Sequence, residues 1–389
     1  MATAEITPRV ITNQLDRPWS LAFLPNGDFL VTERTGQLRR ISASGEVFPP
    51  ITGLPKIAVV GQGGLLDVAL HPNFSINRWV YLSYVAGSAV QGYSTEVLRG
   101  TLTQDQQSLI NIDTVFVAQP KTKGGRHFGG RLLLTQQQNQ TYLYLSLGDR
   151  GVKSLSQKRD NHHGSLIRLL DSGAIPADNP FVNTPEVLPE IYTYGHRNIQ
   201  GLALHPVTGD LWSHEHGPQG GDELNHIQAG QNFGWPVITY GVNYGIATAI
   251  GEGTHKPGLQ QPQYMWDPSI APSGLAFYNN QWLIGALKYQ LLSVLSPLPQ
   301  PSLSSEADIV KSQAPSASQK SSAIKEQKLI QRFSEQRYFE QQLGRIRDVR
   351  VNGEFLYLLT DADQGKLIQF PLHFLHEGQN HDDDSPQTQ

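Results

Sequence analysis

The stretch Leu21-Ala-Phe-Leu-Pro-Asn-Gly-Asp-Phe-Leu-Val-Thr-Glu33 decides how this chain folds. It is an apolar strand, a polar turn at Pro25-Asn26-Gly27, and a second strand. Asn-Gly is the pair that tight hairpins favour. The phrase returns as DVALHPNFSINRWVYLSY from Asp67 and RLLLTQQQNQTYLYLSLGD from Arg131. It returns again as LALHPVTGDLWSHE from Leu202, LAFYNNQWLIGAL from Leu275 and RDVRVNGEFLYLLTD from Arg347, the last turning at Asn352-Gly353. Six copies, about 45 to 75 residues apart, predict six repeated sheets rather than six domains. Radial repetition protects the edges of small sheets. The expected fold is therefore all-β, a six-bladed β-propeller of four-stranded antiparallel sheets. A pair of β-sandwiches would not repeat one hairpin phrase six times.

Outward from these hairpins, residues 1–375 are expected to form a single propeller domain. Residues 296–328 are rich in Ser, Gln, Pro and Lys and read as a low-complexity surface insertion. Residues 376–389, ending in DDDSPQTQ, read as a flexible acidic tail. Across 389 residues, 30 Lys and Arg face 34 Asp and Glu, a formal net charge of −4. That balance argues against nucleic acid or an anionic membrane as the main partner. No run of eighteen apolar residues occurs, so no segment is expected to span a bilayer. Cysteine is absent, which excludes disulfides, thiolate metal sites and cysteine nucleophiles.

Several segments carry more polar residues than a structural strand needs. In Val60-Gly-Gln-Gly-Gly-Leu-Leu-Asp67, glycines around Gln62 let the backbone approach something closely; a tight turn between blades is the plainer reading. Arg126-His127-Phe-Gly-Gly-Arg131 puts a histidine at a strand entry, either a general base or a hydrogen-bonding loop residue. Arg197 and Asn198, in Tyr194-Gly-His-Arg-Asn-Ile-Gln-Gly201, suit a quinone oxygen, a carboxylate or an inter-blade ion pair. His214 and His216 lie on one strand face, as a transition-metal pair would. They run straight into Gly217-Pro-Gln-Gly-Gly-Asp-Glu223, whose carbonyls and carboxylates suit hard calcium instead. Lys288, Arg345 and Arg347 add three cations, which suggest either a ligand with several carboxylates or an ordinary basic face.

Taken together, GQGGLLDVALHP, HFGGRL, DNPF, YGHRNIQGLALHP, EHGPQGGDELN, NFGWP, APSGLAFY, GALK and RIRDV resemble, in order, the soluble quinoprotein aldose dehydrogenases. The match runs from Leu15 to about Phe370. The resemblance implies a cofactor, pyrroloquinoline quinone (PQQ), at one end of the propeller axis. It implies His127 as the base that takes the anomeric hydroxyl proton, and Arg197 and Asn198 beside the quinone. Gln62, Arg126, Lys288, Arg345, Ile346 and Arg347 would contact the cofactor, with Ala286 and Leu287 adding backbone contacts. Carbonyls of Gly217 and Pro218 would hold a cofactor-bound calcium, and Glu223 with the Phe233 carbonyl a second, structural one. Gln62 and Asp149 would face the sugar. One departure stands out: relatives place Asp or Asn where this chain has Arg126, and an arginine there lowers the pKa of His127. His216 stands where the glucose enzymes have Gln, and the EHGP form points to the aldose-type branch.

The resemblance thus implies PQQ- and calcium-dependent oxidation of a broad range of mono- and disaccharides at C1 to lactones. Electrons would pass to an external acceptor. Two other readings stand beside it. A calcium-dependent propeller lactonase would need a ring of Glu, Asn and Asp on its metal and leaves Lys288, Arg345 and Arg347 unexplained. A non-catalytic propeller binding module has no reason to keep His127, Arg197 and these cations together. Relatives work in the periplasm, so a periplasmic or secreted location is expected, with a signal peptide that this chain lacks: MATAEITPRV has no basic start followed by an apolar run, which fits either a cytosolic protein or a signal removed before residue 1. A monomer or homodimer is expected.

Overall fold

The computed structural model describes residues 8–298 and 333–377. All but the first three residues of the 296–328 insertion, and the tail from 378, lie outside them. Strand β1 (Arg9–Leu15) belongs to the last sheet and is taken up again below. Blade 1 contains β2 (Pro18–Phe23), β3 (Phe29–Glu33) and β4 (Gln37–Ile41). Blade 2 contains β5 (Leu65–Leu70), β6 (Trp79–Ser88), β7 (Gly92–Leu102) and β8 (Leu109–Val117). Blade 3 contains β9 (Leu132–Gln137), β10 (Gln140–Ser146), β11 (Ser165–Leu170) and β12 (Ile191–Tyr194). Blade 4 contains β13 (Ile199–Leu204), β14 (Leu211–Glu215), β15 (Asp222–His226) and β16 (Tyr264–Trp266). Blade 5 contains β17 (Pro272–Tyr278), β18 (Gln281–Ala286), β19 (Leu292–Pro297) and β20 (Phe333–Tyr338). Blade 6 contains β21 (Ile346–Asn352), β22 (Phe355–Thr360) and β23 (Gly365–Pro371), and β1 pairs with β23 to complete it. That pairing ties the start of the chain to its end and closes the ring.

Each of the six repeated phrases is the first hairpin of one blade, and all the strand pairs are antiparallel. The first strands meet one another around the axis. Blade 1 departs from the expected four strands. Its outer edge is an irregular segment, held by a Val47 bridge to Ile41 and by bonds from the Phe48 and Ile51 amides to Arg40 and Leu38 carbonyls. Pro49 and Pro50 lie in that segment; proline has no N–H to give a ladder and is at home only at an edge.

The core follows from this packing. A blade has neighbours on both faces, so its inner strands read as nearly unbroken apolar runs. Separate apolar clusters fill the gaps between blades: Leu30 with Leu82, Val97 with Leu143, Leu166 with Leu202, Leu224 with Ile284, Leu283 with Leu358, and Val31 with Leu359. Truncating one such leucine to alanine costs about 2–5 kcal/mol.

One irregularity positions the functional residues. In five blades the ladder shifts register at the entry of the first strand, at Pro18/Ser20, Leu65/Val68, Ile199/Gly201, Pro272/Leu275 and Ile346/Asp348. A bulge of this kind breaks strict alternation and re-aims side chains. All these entries lie at one end of the ring, where they aim Trp19, Gln200 and Arg347 into a cavity.

Candidate active site

The cavity at this end measures about 220 Å³. Its lining includes Gln62, Asn198, Leu287, Arg345 and Arg347 from the expected set. It also includes Arg17, Trp19, Arg34, Gln200 and Asp361, for which the sequence reading offers no role, and His216, which that reading set beside His214.

The glycine-rich turn does bring backbones together, but its target is another loop of the protein. A Cβ on Gly61, whose φ is +56°, would stand 2.2 Å from the Gly125 carbonyl oxygen. The Gln62 amide donates to that same carbonyl at 2.7 Å. In return, the His127 amide donates to Gln62 Oε1 at 2.7 Å. His127 itself holds a φ of 54°, a conformation few side-chain-bearing residues adopt. Its Nδ1 lies 2.6 Å from Asp149 Oδ1. A carboxylate there selects the Nδ1–H tautomer. Nε2 keeps its lone pair and has no partner among the described residues.

Asp149 is expected on the substrate side; the structure places it behind the histidine, 1% exposed. Its Oδ1 also accepts from the Gly151 amide at 2.7 Å and its Oδ2 from Trp235 Nε1 at 2.8 Å. With both oxygens occupied, the carboxyl orients the imidazole rather than touching a ligand. Burial lowers the pKa of His127, Asp149 opposes that, and Arg197 and then Arg126 add to the lowering. Arg126 therefore acts in the expected direction but as the smallest of these influences; it is exposed. The acidic neighbour of the imidazole is Asp149.

Arg197 and Asn198 hang from one buried carboxylate. Glu215 Oε2 accepts from the Arg197 amide at 2.5 Å and the Asn198 amide at 3.3 Å, and its Oε1 lies 2.8 Å from His196 Nδ1. The Arg197 guanidinium lies 5.4 Å from the centre of the Trp235 ring, and its Nη1 donates to the His216 carbonyl. Arg347 is 7% exposed, donates to Gln200 Oε1 at 2.8 Å and leaves Nε without a partner. Burial and nearby Arg131 push its pKa down to about 9. It lies 4.4 Å over the Trp19 ring, as does Arg131. Arg131 and Arg350 in turn are bound to Asp67 and Asp348 beneath the cavity, so those acids are spent. Arg345 pairs with Asp361 at 3.1 Å. The cavity is thus cationic, and a buried guanidinium with an unfilled donor suits an anionic ligand.

Of the expected set, Arg126, His127, Arg197, Gly217, Pro218, Ala286, Lys288 and Ile346 do not line this cavity. Lys288 is exposed, with Nζ 4.8 Å from the centre of the Tyr289 ring, and does not line the cavity. Ala286 and Ile346 are fully buried in inter-blade clusters, which leaves only their backbones for a ligand.

His214 and His216 are not a metal pair. Their Nε2 atoms reach separate backbone carbonyls, of Gly274 at 3.3 Å and Pro272 at 2.7 Å. Among the described residues no group of three or more His, Asp or Glu side chains is placed to hold a metal. The oxygen-rich turn remains. Asp222 Oδ1 accepts from the Gly217 amide and Ser269, and its Oδ2 from the Ala271 amide, which fixes the turn. Burial raises Asp222 to about 6. The Pro218 carbonyl accepts the Tyr244 hydroxyl at 2.9 Å and retains a lone pair. A small cavity beside this turn is lined by Glu215, Gly217, Glu223 and Phe233. Burial and the cross-strand neighbour Glu215 hold Glu223 above the usual carboxylate range. Paired carboxylates with backbone oxygens form a hard-cation donor set.

Residues 15–369 match the family model described as glucose/sorbosone dehydrogenase. The chain belongs to this family. It is 38% identical over 379 residues to the aldose sugar dehydrogenase YliI of Escherichia coli K12, covering 95% of this chain and 93% of that protein. The crystal structure of the soluble E. coli aldose sugar dehydrogenase in its apo-form superposes with a TM-score of 0.82 at 37% identity, covering 94% of this chain and 99% of that one. The PQQ-bound aldose sugar dehydrogenase of Streptomyces coelicolor gives 0.73 at 27% identity, covering 95% and 99%. Family membership bears out the resemblance read from the ordered motifs. Trp235, Glu215 and Gln200 also lie in those motifs, and only the fold reveals what they touch.

Proposed function

We propose that this chain oxidises aldoses at C1 to lactones with PQQ and Ca²⁺, accepts a broad range of mono- and disaccharides, and passes the electrons to an external acceptor. The observation that carries the reading is His127, oriented by Asp149 through Nδ1 and with Nε2 unpartnered, next to a cavity of arginines.

The donor chemistry fits the cofactor. PQQ is a tricarboxylate; Arg345 and Arg347 would hold its carboxylates, with Gln62, Asn198 and the Leu287 backbone nearby. Gly217 and Pro218 would give carbonyl oxygens to one calcium, and the Glu223 carboxylate with the Phe233 carbonyl would hold another. When bound, the quinone supplies the two-electron acceptor and calcium the polarising charge. The remaining chemistry is the protein's own. His127 Nε2 takes the proton from the anomeric hydroxyl as hydride leaves C1, and Asp149 stabilises the imidazolium. Trp235 holds Asp149 in place, and against the raising effect of burial, His127, the Gly151 amide and Arg197 keep it ionised. Arg197, anchored through its amide on Glu215, presents a fixed positive charge where negative charge develops.

A lactonase reading is disfavoured because the buried acids Asp67 and Asp348 are already bound to Arg131 and Arg350. The same dehydrogenase reading places the activity in the periplasm or outside the cell. The test is dye reduction by apo-protein given an aldose, with and without PQQ plus calcium. Activity only with both supports the reading; activity without them, or no cofactor binding, refutes it.

A further inference from the structure

Oxidising one aldose releases two electrons and two protons, and the electrons must leave through the exposed end of the cavity. This rests on the dehydrogenase reading above. The surface there is asymmetric in charge. Segments 57–64, 121–126, 150–153, 217–221 and 240–249 contain no Asp or Glu. They carry Lys123, Arg126 and Lys153, all exposed, with Arg34 alongside. None of these four makes an ion pair with a described residue.

The segments are contiguous. Arg34 Nη1 donates to the Gly61 carbonyl at 2.7 Å, and Gly61 packs directly on Gly125. The Arg126 stem lies against Gly151, and Lys153 Nζ donates to Asn243 Oδ1 at 3.2 Å. Apolar side chains are interleaved: Val59 is 53% exposed, Tyr244 67% and Ile246 72%. Lys121 in the same run is paired with Glu96, and other carboxylates lie to either side. Asp16, Asp361 and Asp363 gather round Arg17, and Asp267 stands beside Gly220. A basic arc with apolar contacts, on a chain whose net charge is −4, is complementary to an acidic partner.

We propose that the arc from Arg34 through Arg126 to Lys153 docks an acidic, one-electron redox protein that receives the electrons. Two oxidised acceptor molecules each take one electron per aldose, and two protons pass to solvent. Charge steering speeds encounter and is weakened by salt.

The experiment compares three acceptors on the PQQ- and calcium-loaded enzyme: an uncharged dye, an acidic plastocyanin and a basic cytochrome c. The variants are the wild type and Lys123→Glu/Lys153→Glu. The expected result is unchanged dye reduction, with kcat/KM for plastocyanin reduced roughly tenfold or more in the variant and falling with ionic strength in the wild type. Binding of reduced plastocyanin to the apo-protein, read by calorimetry, should weaken in parallel. Equal use of plastocyanin by both proteins, or a wild-type preference for the basic cytochrome, overturns the docking site. Loss of dye reduction in the wild type overturns the dehydrogenase reading instead.

Discussion

Asp149 accepts from the imidazole of His127 and from the indole of Trp235 at once, at 2.6 and 2.8 Å. A single buried carboxylate thereby selects the tautomer of the base and is itself kept from rotating. Asp149→Asn keeps the shape but can offer its amide NH₂ to Nδ1, favouring the wrong tautomer. We expect kcat to fall about 10²–10⁴-fold with KM for the sugar little changed. Steady-state kinetics check this; an unaltered kcat would remove Asp149 from the mechanism.

Burial is the main influence on His127 and lowers its pKa, so the neutral, proton-accepting form persists below the usual histidine value of 6.5. The acid limb of kcat/KM should therefore lie below that value. Arg126→Asp removes a lowering charge and adds a raising one, so the limb should move to higher pH. A pH–rate profile of both proteins decides the sign. A shift to lower pH contradicts the account.

Arg347 is buried, lacks a carboxylate partner and leaves Nε unfilled, so the empty protein bears a cost that a ligand would relieve. Arg347→Met should leave the apo-protein at least as stable, while cofactor affinity drops by about 2–5 kcal/mol. Thermal unfolding and a cofactor titration measure the two effects separately. A less stable apo-protein with unchanged affinity would make Arg347 purely structural.

Glu223, held protonated more readily by burial and Glu215, should ionise when calcium binds. Calcium at about 100 times its Kd should stabilise the wild type by about 2.7 kcal/mol, more weakly as pH falls. Glu223→Gln should lose most of that gain. Calorimetric unfolding with calcium or chelator checks it, and an equal gain in both proteins would move the ion elsewhere.

Much of this was legible in the sequence, and the limits have a physical cause. The hairpin phrase announced the blades because strand period and turn chemistry are local. The irregular outer edge of blade 1 was hidden, because an edge segment with little pairing leaves a weak pattern. Inside the site, Arg345 and Arg347 stand out in the sequence as neighbouring cations, and both line the cavity. The bulges at the strand entries defeat alternation, however. Consecutive Arg347 and Asp348 both face the axis, one toward the cavity and the other toward Arg131. Asp149 was misplaced for a related reason. The resemblance marks it as functional, but only the crossing of two loops decides which side of His127 it occupies. Trp235 lies in NFGWP, but nothing local gives its role, since its indole meets Asp149 across 86 residues.

The most direct test of the central claim is His127→Ala, loaded with PQQ and calcium and given a saturating aldose. The account predicts cofactor binding within a few-fold of wild type and turnover reduced about 10²–10⁴-fold. Turnover at the wild-type rate, with cofactor shown to be bound, would contradict it.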